Sequence, residues 1–436
     1  MGRGSAAAAA IAGMAIACAA GPTHEQKASL NALMAARDFT GAARVLEATR
    51  GDRYADRDAV LYWLDLAAVL HDGGDYQDSD QALDSAEQRM EELYTRSVTK
   101  TAGTFLLNDA TDDYRGEPHE RALLHVLRAL NYAYVGKTDE AVVEARKVSA
   151  FLAELTSTLS TGYAYRDDAF AQYLSGMLFE DSGRADDARI SYQAAHAAYA
   201  AYARAYGTRE PVWNMGPLGP DEGEVVFLHY AGVAPRRASE TIQVAWRDAL
   251  FAVRASGTDE EKARVGNAVV AGLSAHSITV AFPRQVQDPY SIAGSEIRIG
   301  DRRAPTLLVE DISAISRQAL EDRNGAIRAR AIARAALKYI IATVAEEQTK
   351  KQAGEGWGFI AGILARTTAA ATEIADTRCW STIPAQIRMA RIRALPGTQV
   401  VQVRYSSPAG VFTNAESLTV NVKPGRRTYV HVRTAM

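Results

Sequence analysis

The sequence predicts a multidomain α+β chain: a helical-repeat solenoid first, a mixed α/β domain with one long helix second, and a small β-sandwich last. Three observations predict it. A pattern of small and aromatic residues around a tight turn recurs in the first half of the chain, with Gly74, Gly136 and Gly183 at matching positions. A stretch dense in proline and glycine, 211–223, then ends the helical periodicity. Beyond residue 385, short segments alternate apolar and polar residues and are separated by Pro-Gly turns.

Residues 1–20 (MGRGSAAAAAIAGMAIACAA) read as an address rather than as part of the fold. One positive charge, Arg3, precedes an apolar stretch, and small residues surround Cys18, which is the layout of a secretory signal peptide. The segment is too short to span a bilayer as a helix. Ala15–Cys18 resembles the lipobox of bacterial lipoproteins, so lipidation at Cys18 is the leading expectation. Ordinary cleavage at an Ala-x-Ala site and an uncleaved start are the alternatives. Ala19 carries no inner-membrane retention signal of the Asp type, which makes the periplasmic side of the outer membrane the expected location.

Residues 21–210 carry the repeats. Around Trp63 the chain reads VLYWLDLAAVLHDGGDY, followed by Ser79, Leu83 and Ala86. Small Ala67, Ser79 and Ala86 let two helices approach closely, and Gly74 with Asp75 turns the chain between them before Tyr76. These positions resemble a tetratricopeptide repeat with Trp63 at its first aromatic position. Gly136 with Ala129, Tyr132 and Ala141, and Gly183 with Gly176, Phe179 and Ala188, repeat the pattern. A degenerate copy precedes them over Leu30–Thr49, turning at Asp38. The glycines are 62 and 47 residues apart, against about 34 for a regular array, so insertions are expected over 95–120 and 153–168.

After the linker 211–223, the domain 224–384 is read as strands at Glu224–Tyr230, Ser277–Phe282, Glu296–Ile299 and Thr306–Val309. A long helix follows from Ile312 to about Lys351, with a break expected at Asn324-Gly325. Trp357–Leu364 is apolar but too short to cross a membrane. The final unit, 385–436, is read as four strands, and it resembles a small β-sandwich of the PEGA or carboxypeptidase-regulatory type. Leu418, Val420 and Val422 share one face of one strand.

Charge divides the chain in the same place. Residues 21–210 hold 31 acidic and 20 basic side chains, net −11, while 211–436 hold 21 and 28, net +7. Such asymmetry bears on partners and orientation. The basic half has no dense Lys/Arg run interleaved with aromatics, so no nucleic-acid partner is expected. No HExxH, CxxC, GxSxG or P-loop occurs, and Ser97–Lys100 (SVTK) lacks the companion motifs of the enzymes it would suggest. No enzyme activity, cofactor or metal is therefore expected. Cys379 reads as a small buried hydrophobe, with an arginine-activated thiol as the alternative.

Two constellations remain. Arg330, Arg334 and Lys338 recur every fourth residue on the long helix and form one stripe, open to an anion, a partner or water. Asp376, Arg378 and Trp380 combine a charge pair with a large apolar anchor. Asp376 is expected to meet Arg330 or Arg334 on the facing helix, since a carboxylate in an apolar setting needs a partner.

Tyr114–Glu120 (YRGEPHE) with Ala129–Tyr132, Ala329–Ala335 with Lys338, and Ala375–Arg378 with Trp380 and Pro384 carry a further resemblance. Together they resemble a group of uncharacterised bacterial envelope lipoproteins with tetratricopeptide repeats. Cys379 and Ile383 stand where that group has Ser and Leu. The resemblance implies a scaffold in envelope or cell-wall assembly: a protein partner in the helical groove, a lipid anchor in the outer membrane, and a cell-wall synthesis regulator as partner by family association. A self-associating subunit of a larger envelope machine and a glycan- or lipid-binding module are the alternatives.

Overall fold

The computed structural model describes residues 24–97, 112–158, 163–213, 215–216, 218–249, 277–353 and 375–435. The expectations for Cys18 and for Trp357–Leu364 lie outside these residues, as do residues 98–100 of the SVTK segment.

The chain is mixed α+β. Helices α1 (His24–Ala35), α2 (Phe39–Ala48), the short α3 (Arg50–Arg53), α4 (Ala59–Gly73), α5 (Tyr76–Ser97), α6 (Pro118–Tyr134), α7 (Thr138–Thr158), α8 (Ala169–Asp181) and α9 (Ala185–Ala205) come first. Three hairpins, α4–α5, α6–α7 and α8–α9, turn by one device. Gly74, Gly136 and Gly183 take positive φ of 85°, 76° and 75°, and the next residue's N–H reaches back to the final helical turn: Asp75 to Leu70, Lys137 to Tyr132 and Arg184 to Phe179. This left-handed exit satisfies helix-end carbonyls and favours glycine. The degenerate first turn follows the same course with Arg37 at φ 60°, and Asp38 caps α2 through Gly41 N–H. The expected small residues sit at contacts. Ser79 is buried and its hydroxyl donates to the Ala67 carbonyl at 2.9 Å, and a Cβ on Gly176 would lie 2.7 Å from the Tyr192 ring. Trp63 is half-buried at the margin of the core, edge-on to Tyr62 at 4.9 Å. Tyr76 packs on Tyr134 at 5.0 Å.

The second half contributes β1 (Gly223–Ala231), β2 (Arg236–Ala245), β3 (Ser277–Val286), β4 (Gly294–Ile299), β5 (Arg302–Pro305), β6 (Leu307–Glu310), α10 (Ile312–Ala353), β7 (Gln386–Ala394), β8 (Gly397–Ser406), β9 (Phe412–Val422) and β10 (Arg427–Thr434). Helix α10 runs through Asn324-Gly325 without the expected break. Its 42 residues extend about 60 Å. Along β2 and β3 it shares a small core of Trp246, Ile278, Val280 and the alanines of 331–336.

The strands after residue 385 do not form a unit of their own. One sheet has the order β10-β1-β7-β6 and another β5-β4-β8-β9. Thus β10 lies parallel to β1 and β7 antiparallel to it, while β8 pairs with β4. The boundary expected at 384/385 is crossed by strand pairing in both sheets. The physical reason is β1, whose nine residues are all buried. Val225 and Phe227 meet the second sheet, while Val226, Leu228 and Tyr230 join the core of the helices. Helices and first sheet therefore share one core.

Gly74→Ala and Gly183→Ala place a Cβ in open space, so only the backbone conformation opposes them. Each should lower stability by about 1–2 kcal/mol in urea unfolding. Gly176→Ala should cost about 1–3 kcal/mol through overpacking against Tyr192.

Candidate functional site

The inner face of the helical array, where a protein partner was expected, is occupied by the chain itself. Tyr199 donates to the Val309 carbonyl at 3.0 Å, Arg391 to Tyr173 Oη at 2.8 Å, and Tyr429 to Asp181 at 2.7 Å. His71 is fully enclosed between Asn131 Oδ1 at 2.6 Å and Tyr230 Oη at 3.1 Å. An amide oxygen only accepts, so Nδ1 carries the proton and Nε2 accepts from Tyr230. Burial pushes His71 down to about 4, which keeps it neutral in this setting. Apolar β1 and its neighbours need cover, and the helices supply it.

The segment 375–384 runs into this interface and carries the predicted charge and packing cluster. Trp380 is 1% exposed. Its backbone N–H donates to Glu120 Oε1 at 2.8 Å and its indole N–H to Thr382 Oγ1 at 3.0 Å. The Thr382 hydroxyl in turn donates to buried Asp65 at 2.9 Å. Arg378 wraps back onto Asp376 through Nε (2.9 Å) and Nη2 (2.8 Å). Its Nη1 reaches Asp58 Oδ1 at 3.0 Å and the Asp112 carbonyl at 2.7 Å. Asp376 therefore takes its near neighbour in sequence. The expected bond to Arg330 or Arg334 is absent, because Arg378 already offers its carboxylate a two-pronged partner two residues away.

The YRGEPHE motif builds the opposite wall. Glu117 is the N-cap of α6, Pro118 follows at the first helical position, and Glu120 returns to the Glu117 N–H at 2.8 Å, a capping arrangement. This fixes Glu117, whose Oε1 accepts from Arg237 Nη2 at 2.7 Å and faces Arg323 Nη2 at 2.6 Å. Burial alone would raise the Glu117 carboxyl, but Arg237 and Arg323 outweigh it and hold it down at about 2. Arg237 also donates to the Arg378 carbonyl at 3.2 Å.

Between these walls lies a cleft of about 220 Å³. It is lined by Arg237 of β2, by Arg323, Arg330 and Arg334 of α10, and by Asp112, Glu117 and Asp376. The structure thus brings the helix stripe and the Asp376 cluster to one place without bonding them. Arg334 is buried and Arg330 exposed. Lys338 lies further along α10, and its side chain is outside the described residues. Sequence reasoning missed Arg237, Arg323 and Glu117. Arg237 belongs to a strand whose alternation is too polar to announce it, and the YRGEPHE caps were the one local signal for Glu117.

Two other groups were weighed on geometry. Glu87, His125 and Glu144 converge from three helices within metal-binding distance. The same carboxylates, however, already hold Arg128 (2.5 Å to Glu87) and Lys147 (3.3 Å to Glu144), so the donor set is neutralised by cations and does not fit a metal ion. Cys379 is buried, and burial pushes its thiol up, which agrees with a packing role.

No family model, curated protein or solved structure matches the chain.

Arg378→Met removes the buried ion pair to Asp58 and should cost about 3–5 kcal/mol in urea unfolding. Arg330→Met, at an exposed position, should change stability by about 0.5 kcal/mol or less. Because the folded-state carboxyl of Glu117 titrates below its ordinary 4.5, its contribution is present above pH 4.5 and is lost as pH falls toward 2. The stability gap between wild type and Glu117→Gln should close over that window.

Proposed function

We propose that the chain is an outer-membrane lipoprotein, anchored through Cys18 and facing the periplasm, that acts as a scaffold in envelope or cell-wall assembly and takes an anionic group in the arginine-lined cleft. The cleft is the observation that carries the reading. Four guanidinium groups from two elements gather there, and Glu117 and Asp376, among the lining carboxylates, are already engaged with Arg237, Arg323 and Arg378. Arg330 makes no ion pair among the described residues; its Nε rests on the carbonyl of Ala326 in its own helix.

The helical hairpins are read as tetratricopeptide-like repeats. The left-handed turns at Gly74, Gly136 and Gly183 and the close helix contacts at Ser79 and Gly176 support that reading. The two facing four-stranded sheets are read as a β-sandwich assembled from both halves of the second region. A repeat array whose inner face is filled by its own sheet serves as a rigid mount, and recognition passes to the rim where α10 meets the array.

Two measurements test this. Cys18→Ser should move the protein from the membrane pellet to the soluble fraction; retention in the pellet would place the anchor elsewhere. A panel of phosphorylated, sulfated and carboxylated ligands should contain a class that raises the melting temperature of wild type and leaves Arg330→Glu unmoved. A flat panel would remove the ligand and leave the scaffold.

A further inference from the structure

We infer that the group bound in the cleft is a phosphate ester. The inference rests on the anion-binding reading above and names its chemistry.

The donors approach from different directions. Arg237 enters from β2, and Arg323, Arg330 and Arg334 from three levels of α10. A planar carboxylate is satisfied by one guanidinium fork, as Asp376 is by Arg378. A tetrahedral phosphate presents several oxygens and accepts from donors that converge without sharing a plane. The inner end shows how an oxygen sits here: Glu117 Oε1 lies 2.7 Å from Arg237 and 2.6 Å from Arg323. Among the described residues the buried Nε of Arg237 has no hydrogen-bond partner.

Charge and volume narrow the class. Among the described residues that line the cleft, four arginines, Arg237, Arg323, Arg330 and Arg334, stand against three carboxylates, Asp112, Glu117 and Asp376. The volume of about 220 Å³ is below the range of about 300–1,000 Å³ usual for pockets that enclose whole small molecules. It suits a head group with a few carbons. Ala281, Pro283, Ile327 and Ala331 supply apolar wall, which matches the carbons of an ester and has no use for free phosphate.

Phospholipid head groups and soluble sugar or glycerol phosphates share this chemistry, and the test separates them. The probes are sn-glycerol 3-phosphate, glutarate as a dicarboxylate of similar size, and vesicles of phosphatidylglycerol or phosphatidylcholine. The protein is the full chain with Cys18→Ser, so that no anchor holds it on the vesicles. By calorimetry, glycerol phosphate should bind with a Kd below about 1 mM and glutarate more weakly. Arg330→Gln, an exposed change whose fold is checked by its melting temperature, should weaken glycerol phosphate about 10-fold, the loss of one charge-assisted hydrogen bond. Cosedimentation with phosphatidylglycerol vesicles that depends on Arg330 and is competed by glycerol phosphate identifies a lipid source. Binding of glycerol phosphate without cosedimentation identifies a soluble ester. Glutarate binding as tightly as glycerol phosphate overturns the phosphate assignment while the anion-binding reading stands. Equal affinity in Arg330→Gln overturns the placement in this cleft. Silence from both small anions and from vesicles overturns both readings.

Discussion

Strand β1 has to be buried on both faces, and most of the architecture answers that requirement. Gly223–Ala231 is continuously buried, and a strand with apolar residues at successive positions is stable only when both faces are covered. One face receives the second sheet and the other the inner helices. Glu224 shows the constraint. It is fully buried on the helix face, and Arg391, Arg427 and Arg393 surround it, with Arg391 at 2.5 Å. A carboxylate in that place without cations would carry a large desolvation cost.

Covering β1 also gives the uneven charge of the chain a role. The acidic first half and basic second half meet each other inside the molecule. Arg427 reaches Asp181 at 2.6 Å, Arg433 reaches Asp72 at 3.2 Å, and Arg378 reaches Asp58 at 3.0 Å. Buried ion pairs add little net stability compared with apolar packing, since desolvation offsets much of the attraction. Their effect here is on register: a sheet shifted along the array would strand several charges at once. The apolar contacts hold the halves together, and the ion pairs set where they meet.

The inner helices are covered by the chain's own strands. In an open repeat array the inner helices present their side chains to a partner. Here those side chains are engaged with strands, and His71 stacks on His431 at 5.0 Å in the interior. The arginine-lined cleft lies at the junction, where α10 leaves the sheets and passes the start of α6. The Glu117 cap, the Arg378 hook and the arginines of α10 converge there because each element ends or crosses at that point.

What the sequence determined by itself was local. Left-handed turns at Gly74, Gly136 and Gly183, the Pro/Gly break before β1, and most strands followed from backbone dihedral preferences and hydrophobic period, which act over a few residues. The stripe of Arg330 and Arg334 followed from helical spacing, and the cluster of Asp376, Arg378 and Trp380 from proximity in the chain. The unbroken run of α10 through Asn324-Gly325 already shows neighbours overriding a local signal. Only the tertiary structure decided that β10 pairs with β1, some 200 residues earlier, that the helical groove is filled, and that Arg237 and Glu117 join the stripe in one cleft. Strand alternation states that a face needs burial but names no partner, and an arginine on a polar strand looks like any solvated charge. Those choices rest on which surfaces complement each other in shape and charge once the chain is folded.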